Sequence, residues 1–290
     1  PMLADALGRA TGRQFERAPG ADVHGGSIHR CVRWETNIGP VFVKLASAAE
    51  ADVFESEAAG LRALAAARAV RVSEVLATVT TDTESALVLE WLDFGDTDAR
   101  AEARLGQQLA ALHRVEGDAY GWYRDNTIGR TPQVNTPGND WPRFYAEHRL
   151  GFQLRLAERN GLSPRIVARG RQLADRCGEF FTSYRPAPSL LHGDLWGGNW
   201  AIERSSGAPV LFDPAVYFGD READLAMTRL FCGFGPAFYA AYAQAWPLDS
   251  GARMRRPLYD LYHVLNHYNL FGGGYGARAA ELIEQLLAGR

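Results

Sequence analysis

Apolar and turn-forming residues alternate over the first third of the chain in the way expected of short β-strands. Glycines at positions 25 and 26, and the turn-like segment 37–40, divide the beginning of this region. The short connections favour antiparallel neighbours. Together these patterns predict a small antiparallel sheet of strands at residues 14–23, 28–36, 41–45, 72–80 and 86–91.

One helix interrupts these strands. Ser47 and Glu50 have the spacing of a capping box, which predicts a helix beginning at Ser47. The apolar residues that follow recur at helical spacing. They predict the buried face of that helix: Val53, Phe54, Ala58, Leu61 and Leu64.

The pattern changes to helical periodicity after residue 93. A connection at residues 117–141 is too long for an ordinary turn and indicates a functional loop. The predicted helical segments are 98–115, 142–160, 164–183 and most of 221–288. We therefore predict an α+β, bilobal protein. Residues 1–91 form a β-rich lobe with one main helix, and residues 92–290 a larger, mostly helical lobe.

Composition and charge restrict the possible partners. The 290 residues are 47% hydrophobic and carry a net charge of −3 without a basic run, which argues against nucleic-acid and membrane-surface partners. No apolar stretch approaches the ~18 residues of a membrane span. The cysteines at positions 31, 177 and 232 are odd in number and widely spaced, which favours a reducing compartment and predicts a cytoplasmic protein.

The strongest chemical signal is the segment His-Gly-Asp-Leu-Trp-Gly-Gly-Asn at residues 192–199. Asp194 and Asn199 have the spacing of a kinase catalytic loop, and Asp213 follows an apolar strand. Such a loop needs a carboxylate to accept the acceptor proton, and amide and carboxylate oxygens to hold Mg²⁺. Each residue alone fits an ordinary turn. Their order behind a β-rich lobe favours an ATP- and Mg²⁺-dependent kinase.

The upstream half contains the matching nucleotide-binding pattern. Val-Phe-Val-Lys ends at Lys44 and resembles the strand whose lysine meets the nucleotide phosphates. Glu57, thirteen residues later and inside the predicted helix, is placed to form an ion pair with Lys44. Alone, each residue is more typical of a solvated charge. The succession of strand, helix and catalytic loop favours the phosphate-binding pair.

Two weaker signals complete the predicted nucleotide site. A glycine-rich turn between strands brings backbone N–H groups close to phosphate, although a Gly-Gly pair alone usually marks a hairpin. The end of an apolar strand at the lobe boundary is where an adenine meets backbone donors and acceptors. The residues concerned are Gly25, Gly26 and Ser27 in the turn, and Glu90, Trp91 and Leu92 in the hinge.

Several segments together resemble the fructosamine (ketosamine) kinase family. Residues 192–199 resemble its H-G-D-L-W-x-G-N motif, and residues 213–215 its D-P-A motif. Residues 126–129 (N-T-I-G) and 132–135 (P-Q-V-N) also resemble that family. The resemblance extends from about residue 25 to residue 271. The catalytic residues alone are shared with aminoglycoside and choline kinases, so the additional motifs carry the family assignment.

The resemblance implies a protein-kinase-like fold and ATP-dependent phosphorylation of the 3-hydroxyl of a ketosamine, which leads to deglycation. It implies Asp194 as the base, Asn199 and Asp213 as Mg²⁺ ligands, and Lys44 with Glu57 as the phosphate-aiming pair. The acceptor that the resemblance implies is a free ketosamine or glycated lysine on a protein. Some relatives carry a cysteine where this chain has Ser27, so a redox-switched dimer is not expected, and a monomer or weak dimer is predicted.

Residues that contact the acceptor are harder to predict. The acidic segment 219–225 opens a helix, so its charge fits the helix dipole, or one carboxylate contacts a cationic substrate amine. The candidates are Trp196, Asp220, Glu222 and His267. Two alternatives stay open: a kinase of the same fold acting on an aminoglycoside, choline or homoserine, and an inactive scaffold. The complete set of lysine, base and metal ligands disfavours the scaffold.

Overall fold

The computed structural model describes residues 2–23 and 29–289. The predicted glycine-rich turn with Gly25, Gly26 and Ser27 lies outside the described residues. Within these described residues, the first part of the chain contains two helices and six strands: α1 (Met2–Thr11), β1 (Arg30–Trp34), β2 (Val41–Ser47), α2 (Ala51–Ala66), β3 (Arg71–Val72), β4 (Val75–Thr80), β5 (Glu84–Glu90) and β6 (Phe94–Gly95).

The remainder of the chain is mostly helical, as predicted. Its helices are α3 (Ala99–His113), α4 (Trp141–Phe144), α5 (Phe152–Arg159), α6 (Pro164–Asp175), α7 (Arg221–Leu230), α8 (Pro236–Ala245), α9 (Ala252–Phe271) and α10 (Tyr275–Leu287). Its short strands are β7 (Asn126–Ile128), β8 (Thr131–Gln133), β9 (Ser189–Leu191), β10 (Trp200–Glu203), β11 (Pro209–Leu211) and β12 (Tyr217–Gly219). The predicted α+β class is confirmed.

A four-stranded antiparallel sheet with the order β1-β2-β5-β4 forms the centre of the first part. Helix α2 packs against it through Phe54, Ala58, Leu61 and Leu64, four of the five residues of the predicted buried face. The fifth, Val53, is only half-buried. Helix α1, which the sequence pattern did not reveal, packs against β4 and buries Leu3 and Leu7 against the sheet. With ten residues it offers few periodic positions, which explains why it was missed.

The predicted first strand was wrong. With the described part of the chain, residues 14–23 make isolated bridges instead of a regular ladder, Phe15 with Thr36 and Asp22 with Val32. Pro19 and Gly20 lie between the two bridges. Proline lacks the N–H that a ladder requires and glycine favours turns, so the segment cannot continue as a regular strand.

The predicted capping box was also wrong in detail. Strand β2 continues to Ser47, which pairs with Glu84 in β5, and a 3₁₀ turn precedes α2. The Ser47 hydroxyl donates to Glu50 Oε2 at 3.1 Å instead of accepting a helix N–H. Because strand pairing fixes the backbone of Ser47, the α-helix begins only at Ala51.

A second sheet connects the two predicted lobes. Strand β3 pairs in parallel with β11, and β6 pairs with β10, giving the order β3-β11-β10-β6. The predicted strand 72–80 is therefore divided, with Val72 in this second sheet and β4 in the first. No helix among residues 2–23 and 29–289 is long and apolar enough to cross a membrane.

The buried carboxyl group of Asp260 in α9 is expected to make the stability of the fold depend on pH. Its side chain is buried, Oδ1 has no hydrogen-bond partner among the described residues, and Arg256 Nε lies 3.6 Å from Oδ2. Burial raises the pKa of Asp260 to about 6, although the positive charges of Arg256, Arg278 and Arg229 lower it in part. This pKa lies above that of an aspartate in the unfolded chain, so the unfolded chain releases the proton first. The folded state therefore loses stability as the pH rises from about 4 to about 6.

Asp260→Asn removes the charge and nearly keeps the shape. We expect the variant to gain up to about 3 kcal/mol over wild type at pH 8 and little at pH 4. Urea unfolding at the two pH values measures the difference, with Asp118→Asn as the control at an exposed carboxylate. An equal change at both pH values would contradict the expectation.

Candidate active site

The catalytic-loop motif begins directly after β9 and folds as a tight backbone turn. Gly193 has φ +87°, and a Cβ there would lie 1.9 Å from the carbonyl oxygen of Ala215, so only glycine fits. Asn199 Nδ2 donates to the Asp194 carbonyl oxygen at 2.8 Å. The loop therefore holds Asp194 and Asn199 side by side.

Asp224 in α7 anchors this loop. Its carboxylate accepts the N–H groups of His192 at 2.7 Å and Gly193 at 2.8 Å. His113 Nε2 lies 3.1 Å from the same carboxylate. Burial opposes its ionisation, yet the bonds with His113 and Gly193 hold the pKa of Asp224 below its ordinary value. The sequence pattern offered helix charge or a substrate contact for the carboxylates of segment 219–225 and did not reveal this anchoring role, because the partners of Asp224 lie far away along the chain.

The Asp194 side chain carries an unusual carboxyl group. Burial raises its pKa to about 7, and the charges of Asp213 and Asp224 add to the rise, while the Asn199 amide opposes it. A carboxylate with a pKa close to neutrality is suited to exchanging a proton at physiological pH. The group can serve as a general base.

Lys44 is buried between two carboxylates. Its Nζ lies 2.7 Å from Glu57 Oε1 and 2.6 Å from Asp213 Oδ1, so the ion pair expected with Glu57 is present. Although burial opposes the charge, Asp213 and Glu57 raise the pKa of Lys44 above its ordinary value. Lys44 is therefore a fixed cation between α2 and the segment after β11.

Two adjoining cavities meet at Trp196, Asn199 and Asp213. The smaller, of about 110 Å³, is the catalytic cavity, and its walls include Lys44, Glu57, Asp194, His29, Asn126 and Thr127. The larger, of about 600 Å³, is the hinge cavity, and its walls include Leu89, Glu90, Trp91, Leu92, Phe94 and Phe212. Apolar and aromatic walls next to a cluster of charges suit a nucleotide.

The hinge cavity is braced by an ion-pair network that the sequence did not reveal. Arg71 binds both oxygens of Glu90, at 2.7 and 2.9 Å, and also contacts Glu203 at 2.9 Å. The Glu90 carboxylate is thus occupied by protein partners. Phe94 and Phe212 stack with ring centroids 5.5 Å apart on the same cavity.

The N-T-I-G and P-Q-V-N segments form the β7–β8 hairpin and its continuation. Asn126 Nδ2 donates to the Val216 carbonyl at 2.8 Å, and Gln133 Nε2 donates to that of Ala215 at 3.1 Å. These bonds attach the hairpin to the D-P-A segment. Thr127 consequently lies in the wall of the catalytic cavity.

The substrate-contact hypothesis for Asp220 and Glu222 needs correction. Asp220 is fully buried, caps α7 by accepting the Glu222 N–H at 3.0 Å, and accepts the hydroxyls of Tyr184 and Tyr259. Glu222 is buried in an ion pair with Arg255 at 2.8 Å. Their polar atoms are committed to the interior, so the helix-terminus interpretation accounts for Asp220.

The other two acceptor candidates differ in position. Trp196 forms a wall of both cavities. His267 is not part of the wall of either cavity. Its ring centroid lies 4.3 Å from that of Phe231, and its Nδ1 lies 2.8 Å from the carbonyl oxygen of His263. A substrate role for Trp196 or His267 stays a prediction.

The residues fit a magnesium ion shared with a nucleotide. Within the described part of the chain, no group of three or more His, Cys, Asp or Glu side chains could hold a metal by itself. Mg²⁺ commonly uses one or two protein oxygens together with substrate phosphates. Asp213 Oδ2 and Asn199 Oδ1, whose Nδ2 is engaged with Asp194, are suitable hard ligands on the catalytic cavity.

Comparisons with known proteins agree with this geometry. A family model described as fructosamine kinase matches residues 1–289. The chain is 43% identical to a probable ketoamine kinase of Synechocystis sp., covering 98% of this chain and 96% of the relative. It is 41% identical to the chloroplastic protein-ribulosamine 3-kinase of Arabidopsis thaliana, covering 91% of this chain and 81% of the relative.

Solved structures show the same fold. A crystal structure assigned as a fructosamine-3-kinase from Thermobifida fusca has a TM-score of 0.87 and 34% identity, covering 99% of this chain and 98% of the other. A macrolide 2′-phosphotransferase from Brachybacterium faecium has a TM-score of 0.60 at 16% identity, covering 97% of each chain. The predicted protein-kinase-like fold is confirmed.

Proposed function

The chain belongs to the fructosamine kinase family, and we propose that it transfers a phosphoryl group from ATP to the sugar 3-hydroxyl of ketosamines such as fructosamine or ribulosamine. The observation that carries the proposal is the catalytic cavity. Asp194 lines this cavity together with the ion-paired cluster of Lys44, Glu57 and Asp213. The adjoining hinge cavity is mostly apolar and large enough for a nucleoside.

Asp194 is the proposed base. The acceptor hydroxyl oxygen forms a bond to the terminal phosphorus, the bond from that phosphorus to the ADP oxygen breaks, and the hydroxyl proton passes to the Asp194 carboxylate. Asp224 and Asn199 act on Asp194 by fixing the loop that carries it. Trp196, at the junction of the two cavities, is proposed to contact the acceptor sugar.

Asp213 and Asn199 are proposed to hold Mg²⁺, and Lys44 to bind the nucleotide phosphates, aimed by Glu57. When bound, Mg²⁺ neutralises charge that develops on the phosphates. The backbone at Glu90, Trp91 and Leu92 is proposed to meet the adenine. Nucleotide binding is thereby assigned mainly to residues 1–91, and catalysis and acceptor binding to residues 92–290.

The proposed setting is the cytoplasm, and the proposed outcome is deglycation, since a phosphorylated ketosamine releases its amine. Among the described residues Cys31, Cys177 and Cys232 form no disulfide; Cys31 and Cys177 are buried, and Cys232 is exposed. Cysteines that are not joined in disulfides are typical of reducing compartments. The acceptor is a small ketosamine or glycated lysine on a protein.

An acceptor panel tests the proposed function. Fructosyl-lysine and ribulosyl-lysine should be phosphorylated, while glucose, ribose and lysine are poor acceptors. A site that hydrogen-bonds one pattern of groups leaves its own polar groups unpaired with another. The measurement is ATP turnover at equal acceptor concentrations, followed by NMR mapping of the phosphate.

The same panel includes an aminoglycoside, choline and homoserine. Turnover of any of these with none on the ketosamines would overturn the acceptor assignment and leave the kinase assignment in place. Phosphate on a hydroxyl other than position 3 would contradict only the proposed regiochemistry.

A further inference from the structure

Asp213, a proposed Mg²⁺ ligand, has a backbone conformation that depends on its surroundings. Its φ is +54°, in the left-handed region that residues other than glycine rarely adopt. Such a conformation persists only where the surrounding structure imposes it. The segment that contains Asp213 therefore has to be held by contacts with other parts of the chain, and the position of the carboxylate depends on those contacts.

The catalytic loop supplies the contacts on one side of this segment. The Phe212 N–H donates to the Asn199 carbonyl oxygen at 3.1 Å, and the Ala215 N–H donates to the His192 carbonyl oxygen at 2.8 Å. Asp213 lies between these two N–H groups in the chain. The backbone on both sides of the proposed Mg²⁺ ligand is thus joined to the catalytic loop.

Two side-chain amides of the β7–β8 hairpin supply further contacts. Gln133 Nε2 donates to the Ala215 carbonyl oxygen at 3.1 Å, and Asn126 Nδ2 donates to the Val216 carbonyl oxygen at 2.8 Å. Gln133 Nε2 also donates to Asn126 Oδ1 at 2.9 Å, so the two amides support each other. Together they bind two consecutive carbonyl groups, two and three residues after Asp213.

Helix α9 holds the Gln133 amide in turn. The Tyr262 hydroxyl donates to Gln133 Oε1 at 2.7 Å, so both ends of the amide are bonded. Gln133 is 1% exposed and Tyr262 is 3% exposed. A buried amide with bonded donors and a bonded acceptor has a fixed position, because water does not replace its partners.

We propose that Gln133 is a positioning residue for phosphoryl transfer. By binding the Ala215 carbonyl, it keeps Asp213 in the left-handed conformation that places the carboxylate 2.6 Å from Lys44 and on the wall of the catalytic cavity. Gln133 is not part of the described wall of that cavity, so it acts through Asp213. The inference rests on the proposed function and adds to it a residue that fixes the Mg²⁺ ligand.

The test measures how much Mg²⁺ improves nucleotide binding. Calorimetry gives the affinity for a non-hydrolysable ATP analogue in saturating Mg²⁺ and in EDTA, and the ratio of the two is the Mg²⁺-dependent gain. Gln133→Met nearly keeps the length of the side chain and removes the hydrogen bonds of the amide. The gain should fall about tenfold, since loss of a residue that supports a metal ligand typically weakens a metal site by about 10- to 100-fold.

Two further readouts separate positioning from a general loss of binding. Affinity for the analogue in EDTA should change less than about twofold in Gln133→Met, because the protein contacts of the nucleotide remain. With fructosyl-lysine as acceptor, kcat should fall by about tenfold or more, while KM for fructosyl-lysine changes less than about twofold.

The matched control is Gln153→Met. Gln153 is also fully buried, and its amide bonds to Asn266 and Asn269 of α9 instead of the D-P-A segment. In thermal unfolding this control should lose stability comparable to that lost by Gln133→Met, and it should keep the full Mg²⁺-dependent gain. Tyr262→Phe removes only one hydroxyl and should reduce the gain by about two- to fivefold.

An unchanged Mg²⁺-dependent gain in Gln133→Met would overturn the role of Gln133. An equal fall in Gln153→Met would also overturn it, because the effect would then follow from lost stability alone. If Gln133→Met does not fold, an unchanged gain in Tyr262→Phe overturns the inference. A wild-type protein that does not bind the analogue in Mg²⁺ would instead contradict the proposed function itself.

Discussion

Asp194→Asn is expected to lower kcat by about 100- to 10,000-fold while leaving the fold and ATP binding largely intact. The change is nearly isosteric but removes the only proposed proton acceptor. Asn199 and Asp224 hold the loop through backbone groups of Asp194, His192 and Gly193, so these bonds survive the substitution.

Stability gives a second readout for the same variant. Burial and the neighbouring charges of Asp213 and Asp224 disfavour the ionised form of Asp194, so a neutral amide should not destabilise the fold. Single-turnover kinetics, nucleotide calorimetry and thermal unfolding measure the three properties. Retention of more than half the wild-type rate would remove Asp194 from the role of base.

Asp213→Asn is expected to lower kcat/KM by about 100-fold or more, since such losses follow removal of a charged group that stabilises the transition state. The substitution weakens a hard-oxygen ligand for Mg²⁺ and removes the carboxylate 2.6 Å from Lys44. Asparagine is the appropriate replacement because Asp213 has φ +54°, a conformation that asparagine tolerates better than alanine.

Chelation completes this test. EDTA should stop the wild-type reaction and added Mg²⁺ restore it, while the variant should need more Mg²⁺ for half-maximal rate. Asp118→Asn, at an exposed carboxylate, is the matched control and should show an unchanged Mg²⁺ requirement. Undiminished wild-type activity in excess chelator would contradict the metal role of both Asp213 and Asn199.

Local patterns were sufficient wherever the determining residues are neighbours in the chain. Helical periodicity over residues 98–115 corresponds to α3 (Ala99–His113), and the buried face of α2 was predicted from its spacing. The same reasoning failed where a neighbouring strand decided the backbone. Ser47 remains in β2 because it pairs with Glu84. A capping pattern read from neighbouring residues contains no information about this strand pairing, which here overrides the helix start.

Charge was the least informative local signal. The three acidic residues of segment 219–225 look alike in the sequence but have different roles in the structure. Asp220 caps a helix, Glu222 pairs with Arg255, and Asp224 anchors the catalytic loop. A carboxylate's role depends on which partner faces it. For these three carboxylates the partners include residues of α3, of α9 and of the loop after β9, far away in sequence.

The sequence by itself determined the succession of a β-rich part and a mostly helical part, the family motifs and the chemical types of the site residues, because these depend on composition and short spacing. Tertiary structure alone brought Asp213 to Lys44 across 169 residues and joined β3 to β11. It also turned His29 into the catalytic cavity. Such contacts depend on how whole helices and strands pack. The pattern of residue types along the chain does not specify which distant side chain a given residue will face.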